Sequence, residues 1–265
     1  MNDLLLSEIN THQEDLVRAL TLLEEFIFEK KVNVLPMIED IVDYCEQELE
    51  DVDDPLAQAE HLINILFLDL LFIESKRDAW PVMGFKLEEA IGSRVIHPVV
   101  KAVIFKYVAE QCGFEIDLVY VPEKVMLRLI CDQQFAIIFD PLSGESLNWE
   151  ELDSRIDEVP TEANQYLEPL DSKAVLVEYL TALKNALIKE DQFINALKCV
   201  DILIELKPED PFERRDRGFL LHQLDCFKVA YDDYQYFVDQ CPQDPAAQIL
   251  KLQLENIKVS NTILH

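Results

Sequence analysis

Apolar positions in the first third of the chain recur at helical spacing. Leu16, Leu20, Leu23 and Ile27 lie three or four apart behind Thr11 and Glu14, which pair as a capping box, so a helix is expected over about 12–30. Met37, Ile38, Ile41, Val42, Cys45 and Leu49 repeat the stripe in a second helix. Asp54 and Pro55 supply the cap and first-turn proline of a third. Leu62 to Ile73 is the most apolar stretch but contains Asn64 and Asp69. As a helix it would reach about 18 Å across an apolar slab of about 30 Å, so it reads as a buried core helix and not as a membrane span. Pro98 opens a further helix through Val99, Val103, Ile104, Tyr107 and Val108, and Gly113 is placed to close it in a left-handed conformation.

The texture changes after Gly113. Three short runs rich in branched residues, Ile116 to Val121, Val125 to Ile130 and Phe135 to Phe139, predict a small antiparallel sheet. Asp140-Pro141 and Ser143-Gly144 mark the turn that leaves it. The stretch 156–170, with Pro160 and Pro169, reads as a connecting segment. The expected fold class is α+β, mostly helical: a domain of helices plus a small sheet over 1–155, a linker over 156–170, and a helical domain over 171–265.

That last third contains an internal repeat. Pro208 returns at Pro242, Asp210-Pro211 at Asp244-Pro245, and Ala196 at Ala230, each 34 positions on. The period, with small residues where paired helices cross and proline at the turn leaving each unit, resembles the tetratricopeptide repeat. Gly218, Ala230 and Pro242 occupy its small, small and turn positions, whereas Lys184 replaces the glycine of the first unit. Units are expected at about 177–210 and 211–244, closed by a helix from 245 to about 259.

Composition narrows the functions open to such a chain. Among 265 residues, 23 are Lys or Arg and 52 are Asp or Glu, for a net charge of −29. Most of the surface would therefore repel nucleic acid or an anionic membrane. Five scattered glycines leave no phosphate-cradling loop. Six widely spaced cysteines form neither a disulfide framework nor a zinc signature. The start of the chain lacks the features of a secretory signal, so a cytoplasmic location with reduced thiols is expected. The carboxylates Glu46, Glu48, Glu50, Asp51, Asp53 and Asp54 have no EF-hand spacing and read as solvation of a helix end. No cofactor or metal is expected.

One basic island interrupts the acidity, Glu213-Arg214-Arg215-Asp216-Arg217-Gly218. Arg214, Arg215 and Arg217, with Asn185, Lys189 and His222 at other concave positions, are candidate partner-binding residues that would clamp a partner's carboxylates. The competing reading pairs these arginines with the chain's own Asp and Glu across the domain seam, and makes His222 structural.

Arg215-Asp216-Arg217-Gly218 with Gln223-Leu224-Asp225, Tyr236-Phe237-Val238 through Cys241-Pro242-Gln243-Asp244-Pro245, and Asp140-Pro141-Leu142-Ser143-Gly144 together resemble the bacterial SirB-type family over nearly the whole chain. The resemblance implies a transglutaminase-like domain followed by tetratricopeptide repeats. That superfamily uses a Cys at a helix start, a His on a following strand and an Asp on the next. A helix N-terminus favours thiolate, His moves the proton and Asp orients the imidazole. Here Pro98 falls at the Cys position and Lys124 at the His position, and only Asp140 survives.

Without thiol or imidazole the covalent thioester route has no atoms, which implies a pseudoenzyme with no catalytic residues. Lys124 would then pair with Asp140 in place of the lost His–Asp contact. The leading expectation is a non-catalytic cytoplasmic scaffold or regulator that binds a protein or peptide. The alternative is a hydrolase or transamidase acting on a protein or peptide at a rebuilt centre of Lys124, Asp140 and His97. Cys112 and Cys131 would be its thiols if the mechanism used one, although each also reads as an apolar filler. Direct nucleic-acid or membrane binding is disfavoured by charge, and a two-fold homodimer is the default oligomer.

Overall fold

The computed structural model describes residues 5, 7–9, 15–74, 76–121, 124–132, 135–148, 150–152, 154, 167–252 and 254. The chain divides into two compact units, Met1–Leu176 and Val177–His265.

In the first unit, α1 (Leu16–Phe28) is capped by Asp15, whose carboxylate accepts from the Arg18 amide at 2.9 Å. The expected capping box at Thr11 and Glu14 lies outside the described residues. The stripe of α1 is buried as expected, and α2 (Leu35–Leu49) buries Ile38, Ile41, Val42, Cys45 and Leu49. α3 (Pro55–Asn64) begins at Asp54, which accepts from Ala57 N at 2.9 Å.

The core helix expected over 62–73 is shorter than its apolar run. α3 loosens into a π-turn, Ile65–Asp69, and the chain reverses at Leu71 with φ of 57°. Leu62, Leu66 and Phe72 are buried, but Leu68, Leu71 and Ile73 are 58%, 65% and 55% exposed. A run of apolar residues reports mean burial, not the direction of each side chain once the helix period is lost.

A 3-10 turn (Val82–Phe85) and α4 (Leu87–Ser93) lead to α5 (Pro98–Gln111), the centre of this unit. Val99, Val100, Ala102, Val103, Ile104 and Phe105 are all at most 2% exposed, so the first half of this helix is buried on every side. It packs against α1 and α2 and against the first two strands of the sheet. Gly113 closes it at φ of 86°.

The strands β1 (Glu115–Val121), β2 (Lys124–Ile130) and β3 (Ala136–Phe139) pair antiparallel in the order β1-β2-β3. Phe135 falls outside β3 and is 55% exposed. Leu118 stands opposite Leu127, and Val119 opposite Met126. Adjacent strand residues face opposite ways, so burial of both Leu118 and Val119 means that both faces are covered. The described end of the expected linker also belongs to this unit. Pro169 bridges to Val119, Leu170 N donates to Leu118 O at 2.7 Å, and Arg128 Nη1 donates to Leu167 O at 2.8 Å.

The helix α6 (Ser172–Lys189) crosses the division between the units. After it come α7 (Phe193–Leu206), α8 (Pro211–Gln223), α9 (Phe227–Gln240) and helical residues 245–252. The repeat seen in the sequence recurs in geometry. Asp210 accepts from Phe212 N at 2.9 Å, and Asp244 repeats this by accepting from Ala246 N at 2.7 Å. The turns within the two helix pairs carry Asp191 at φ 56° and Asp225 at φ 59°, at the same 34-residue offset. Ala196 and Ala230 are buried where the helices meet.

Candidate functional site

Pro98, which the resemblance sets at the nucleophile position, stands in the first turn of α5. His97 caps that helix: its Nδ1 accepts from the Val99 amide at 3.3 Å. Its ring stacks on Phe85 at 4.4 Å and meets Trp80 edge-on at 5.5 Å. Burial pushes the His97 pKa down to about 3. A neutral ring whose Nδ1 lone pair is occupied by a backbone donor is a helix cap and an aromatic spacer.

Lys124 opens β2, and its Nζ lies 2.5 Å from Asp140 Oδ2. The lysine expected to replace the imidazole thus holds the surviving carboxylate. Asp140 also shapes its turn: Oδ1 accepts from Leu142 N at 2.8 Å, and its carbonyl accepts from Gly144 N at 2.9 Å. Gly144, at φ 74°, is pressed against Phe67, whose ring a Cβ there would meet at 2.6 Å. Phe67 packs edge-on against Phe105 at 5.2 Å and Phe139 at 6.2 Å. Aromatic packing thus extends up to the turn beside Asp140.

Two neighbours carried no assignment from the sequence. Lys101, one turn into α5, is fully buried; its Nζ donates to Phe72 O at 2.8 Å and lies 4.0 Å from Glu74 Oε2. Burial pushes its pKa down to about 8, against the pull of the Glu74 and Asp140 charges. Glu74 accepts from Ile96 N at 3.3 Å and from Arg77 Nε at 2.7 Å. A single charge inside the run Val99 to Phe105 was the available signal for Lys101. Glu74, in an exposed-looking stretch, gave none.

Cys131 lies just beyond β2 and Cys112 caps the end of α5, so neither is at the helix start beside His97. Among the described residues, no group of three or more His, Cys, Asp or Glu side chains is placed to hold a metal ion.

In the repeat unit all three arginines of the basic island meet the chain's own carboxylates. Arg217 forks onto Asp233 through Nε at 2.6 Å and Nη2 at 2.7 Å, and reaches Asp201 at 3.4 Å. Arg214 also contacts Asp233, at 3.2 Å, and lies 5.2 Å from the Tyr236 ring centre. Arg215 pairs with Asp216 at 2.7 Å and lies over Phe212 and Phe237. These acids belong to the same repeat unit and not to a seam with the first domain. Asn185, Lys189 and His222 are exposed, with His222 edge-on to Phe227 at 5.1 Å.

Residues 33–181 match the transglutaminase-like superfamily, and residues 183–255 match the tetratricopeptide repeat. The chain belongs to the transglutaminase-like superfamily, in the SirB-type family where that domain precedes tetratricopeptide repeats. It is 30% identical to the UPF0162 protein YchA of Escherichia coli (strain K12) over 237 residues, 88% of each chain. It is 28% identical to Protein SirB1 of Salmonella typhimurium over 232 residues, 86% of each chain. A UPF0162 protein of Vibrio cholerae is 28% identical over 205 residues, 76% of each chain. No solved structure matches the chain.

Proposed function

We propose that this protein is a non-catalytic member of its superfamily, a scaffold or regulator whose repeat unit binds a protein or peptide. The observation that carries the reading is the Lys124–Asp140 ion pair. The carboxylate that would orient an imidazole is occupied by an ammonium, and the nucleophile position is proline. His97 does not substitute for the imidazole, because its Nδ1 is taken by the helix it caps and burial keeps it uncharged.

Recognition then falls to the repeats, where Asn185, Lys189 and His222 are exposed to a partner, whereas Arg217 would have to give up Asp233. Nucleic acid and lipid surfaces are not the proposed partners, given the charge of −29. Among the described residues, no helix is long and apolar enough to cross a membrane.

The test is affinity capture from cell extract with the wild type and with an Asn185→Ala, Lys189→Ala, His222→Ala triple variant. Loss of a specific protein partner from the variant supports the reading. Identical recovery removes these residues from the account, and a parallel Arg214, Arg215 and Arg217 triple change then asks whether the basic island does the binding.

A further inference from the structure

The apolar run 62–73 leaves part of itself outside the core. Leu68, Leu71 and Ile73 are each more than half exposed, and among the described residues of the first unit only Phe135 is another large apolar side chain so open. Three of them within six positions make a patch of the kind that marks a contact site.

Polar bonds fix the segment with this face outward. Leu70 N donates to Ile65 O at 2.9 Å, Phe72 N to Leu66 O at 3.2 Å, and Glu74 N to Leu142 O at 2.9 Å. From the inner side, Arg94 Nε donates to Leu70 O at 3.0 Å and Lys101 Nζ to Phe72 O at 2.8 Å. Phe72 is buried by this arrangement, while Leu71, between two held carbonyls, turns out to solvent at φ 57°. A left-handed leucine is uncommon and costs free energy, which the bonds on either side offset.

Arg94 adds a charge to the patch. Its guanidinium lies 4.3 Å from the Phe72 ring centre, with Nε and Nη1 donating to the Leu70 and Ile91 carbonyls. Among the described arginines it alone has no carboxylate within ion-pair distance, since Arg18, Arg77, Arg128, Arg214, Arg215 and Arg217 are all paired. Glu74 is taken by Arg77 and the Ile96 amide. Arg94 Nη2 makes no bond to a described residue and is open to solvent. In a chain with 52 acidic residues, that leaves a cation beside an apolar patch with room for an anion from outside.

We propose that Leu68, Leu71, Ile73 and Arg94 form a docking surface on the first unit for a short acidic amphipathic segment of another protein. The segment seats its apolar side chains on the three residues and a carboxylate on Arg94 Nη2. Charge complementarity selects this occupant. An anionic membrane would meet the same side chains but also the whole −29 surface, whereas a short segment answers mainly to charges within about 8 Å. This surface uses neither the repeat unit nor the Lys124–Asp140 pair, so it stands or falls apart from the function proposed above.

The test is selection of displayed random peptides on the full chain, counter-selected against a Leu71→Asn, Ile73→Thr variant. That variant keeps the repeat unit, and asparagine tolerates the left-handed conformation. Winning peptides are labelled and titrated by fluorescence anisotropy. They should carry Asp or Glu beside apolar residues, and the double variant should weaken them by about tenfold or more. Arg94→Gln should weaken them by about threefold or more, a loss that shrinks as salt is raised. If Arg94→Gln fails to fold, exchanging Glu for Gln in the peptide reads the same contact and should cost as much. Basic winners, which the exposed Asp69 and Asp78 would recruit, overturn the proposal, as do peptides that bind wild type and variants alike, or no winner at all. Binding to phosphatidylglycerol vesicles, or self-association in sedimentation velocity, that the double variant abolishes would also overturn it, since either gives the face to a different occupant.

Discussion

At the scale of single residues, His97 makes the start of α5 sensitive to pH. Its folded pKa is about 3, below the ordinary value of 6.5. Between those values the unfolded chain binds the proton and the folded chain does not, so stability falls as pH drops through this window. Asn is a strong helix cap and cannot titrate there. His97→Asn should cost stability at pH 7 through lost stacking on Phe85, yet flatten the decline toward pH 4, as urea midpoints across that range would show.

Lys124 and Asp140 contribute unequally to the turn they share. Their ion pair is partly exposed, 36% and 17% at the two side chains, and is worth at most about 1 kcal/mol. Asp140 additionally satisfies the Leu142 amide. Lys124→Met should therefore cost under about 1 kcal/mol, and Asp140→Ala about 1–3 kcal/mol, by denaturant unfolding. Equal costs would mean that the turn does not depend on the carboxylate.

At the scale of elements, the repeat shows one position solved in two ways. Gly218 lets α8 approach α9 closely, and a Cβ there would meet the Tyr234 ring at 2.8 Å. Its counterpart Lys184 is buried and binds Glu213 Oε2 at 3.0 Å and Asp216 Oδ2 at 2.7 Å. Gly218→Ala should destabilise by about 1–3 kcal/mol through overpacking. Lys184→Met should cost about 3 kcal/mol or more, because Glu213 stays buried with only Lys207 at 3.4 Å, and adding Glu213→Gln should recover part of the loss. Thermal melts of the four proteins would check the ranking.

The Asp-Pro caps and crossing alanines made this unit legible, because they combine rare residue types at a fixed period. The left-handed Asp191 and Asp225 share that period but passed unnoticed, since one more aspartate in so acidic a chain carries little information. The first unit was less legible where packing decided the outcome. Nothing local marks the point where α3 becomes a π-turn, and a lone Lys101 in an apolar run does not announce that its amine will reach the Phe72 carbonyl. The Lys124–Asp140 contact could be anticipated because both positions came from one recognised pattern, whereas Glu74 enters that neighbourhood only through the fold.

At the scale of the whole molecule, a net charge of −29 sets the acidic chain against anionic partners, in keeping with the proposed recognition of other proteins. The acidic surface should leave duplex DNA unretained even at about 50 mM salt, where electrostatic binding is strong, and a gel-shift titration would detect the contrary. The most direct measurement is of acyl transfer itself: incorporation of a fluorescent primary amine into a glutamine-containing acceptor protein, with ammonia release followed in parallel. Wild type, Lys124→Met and Asp140→Asn should all remain at the rate of the protein-free control. Turnover by the wild type that either substitution abolishes would contradict the account.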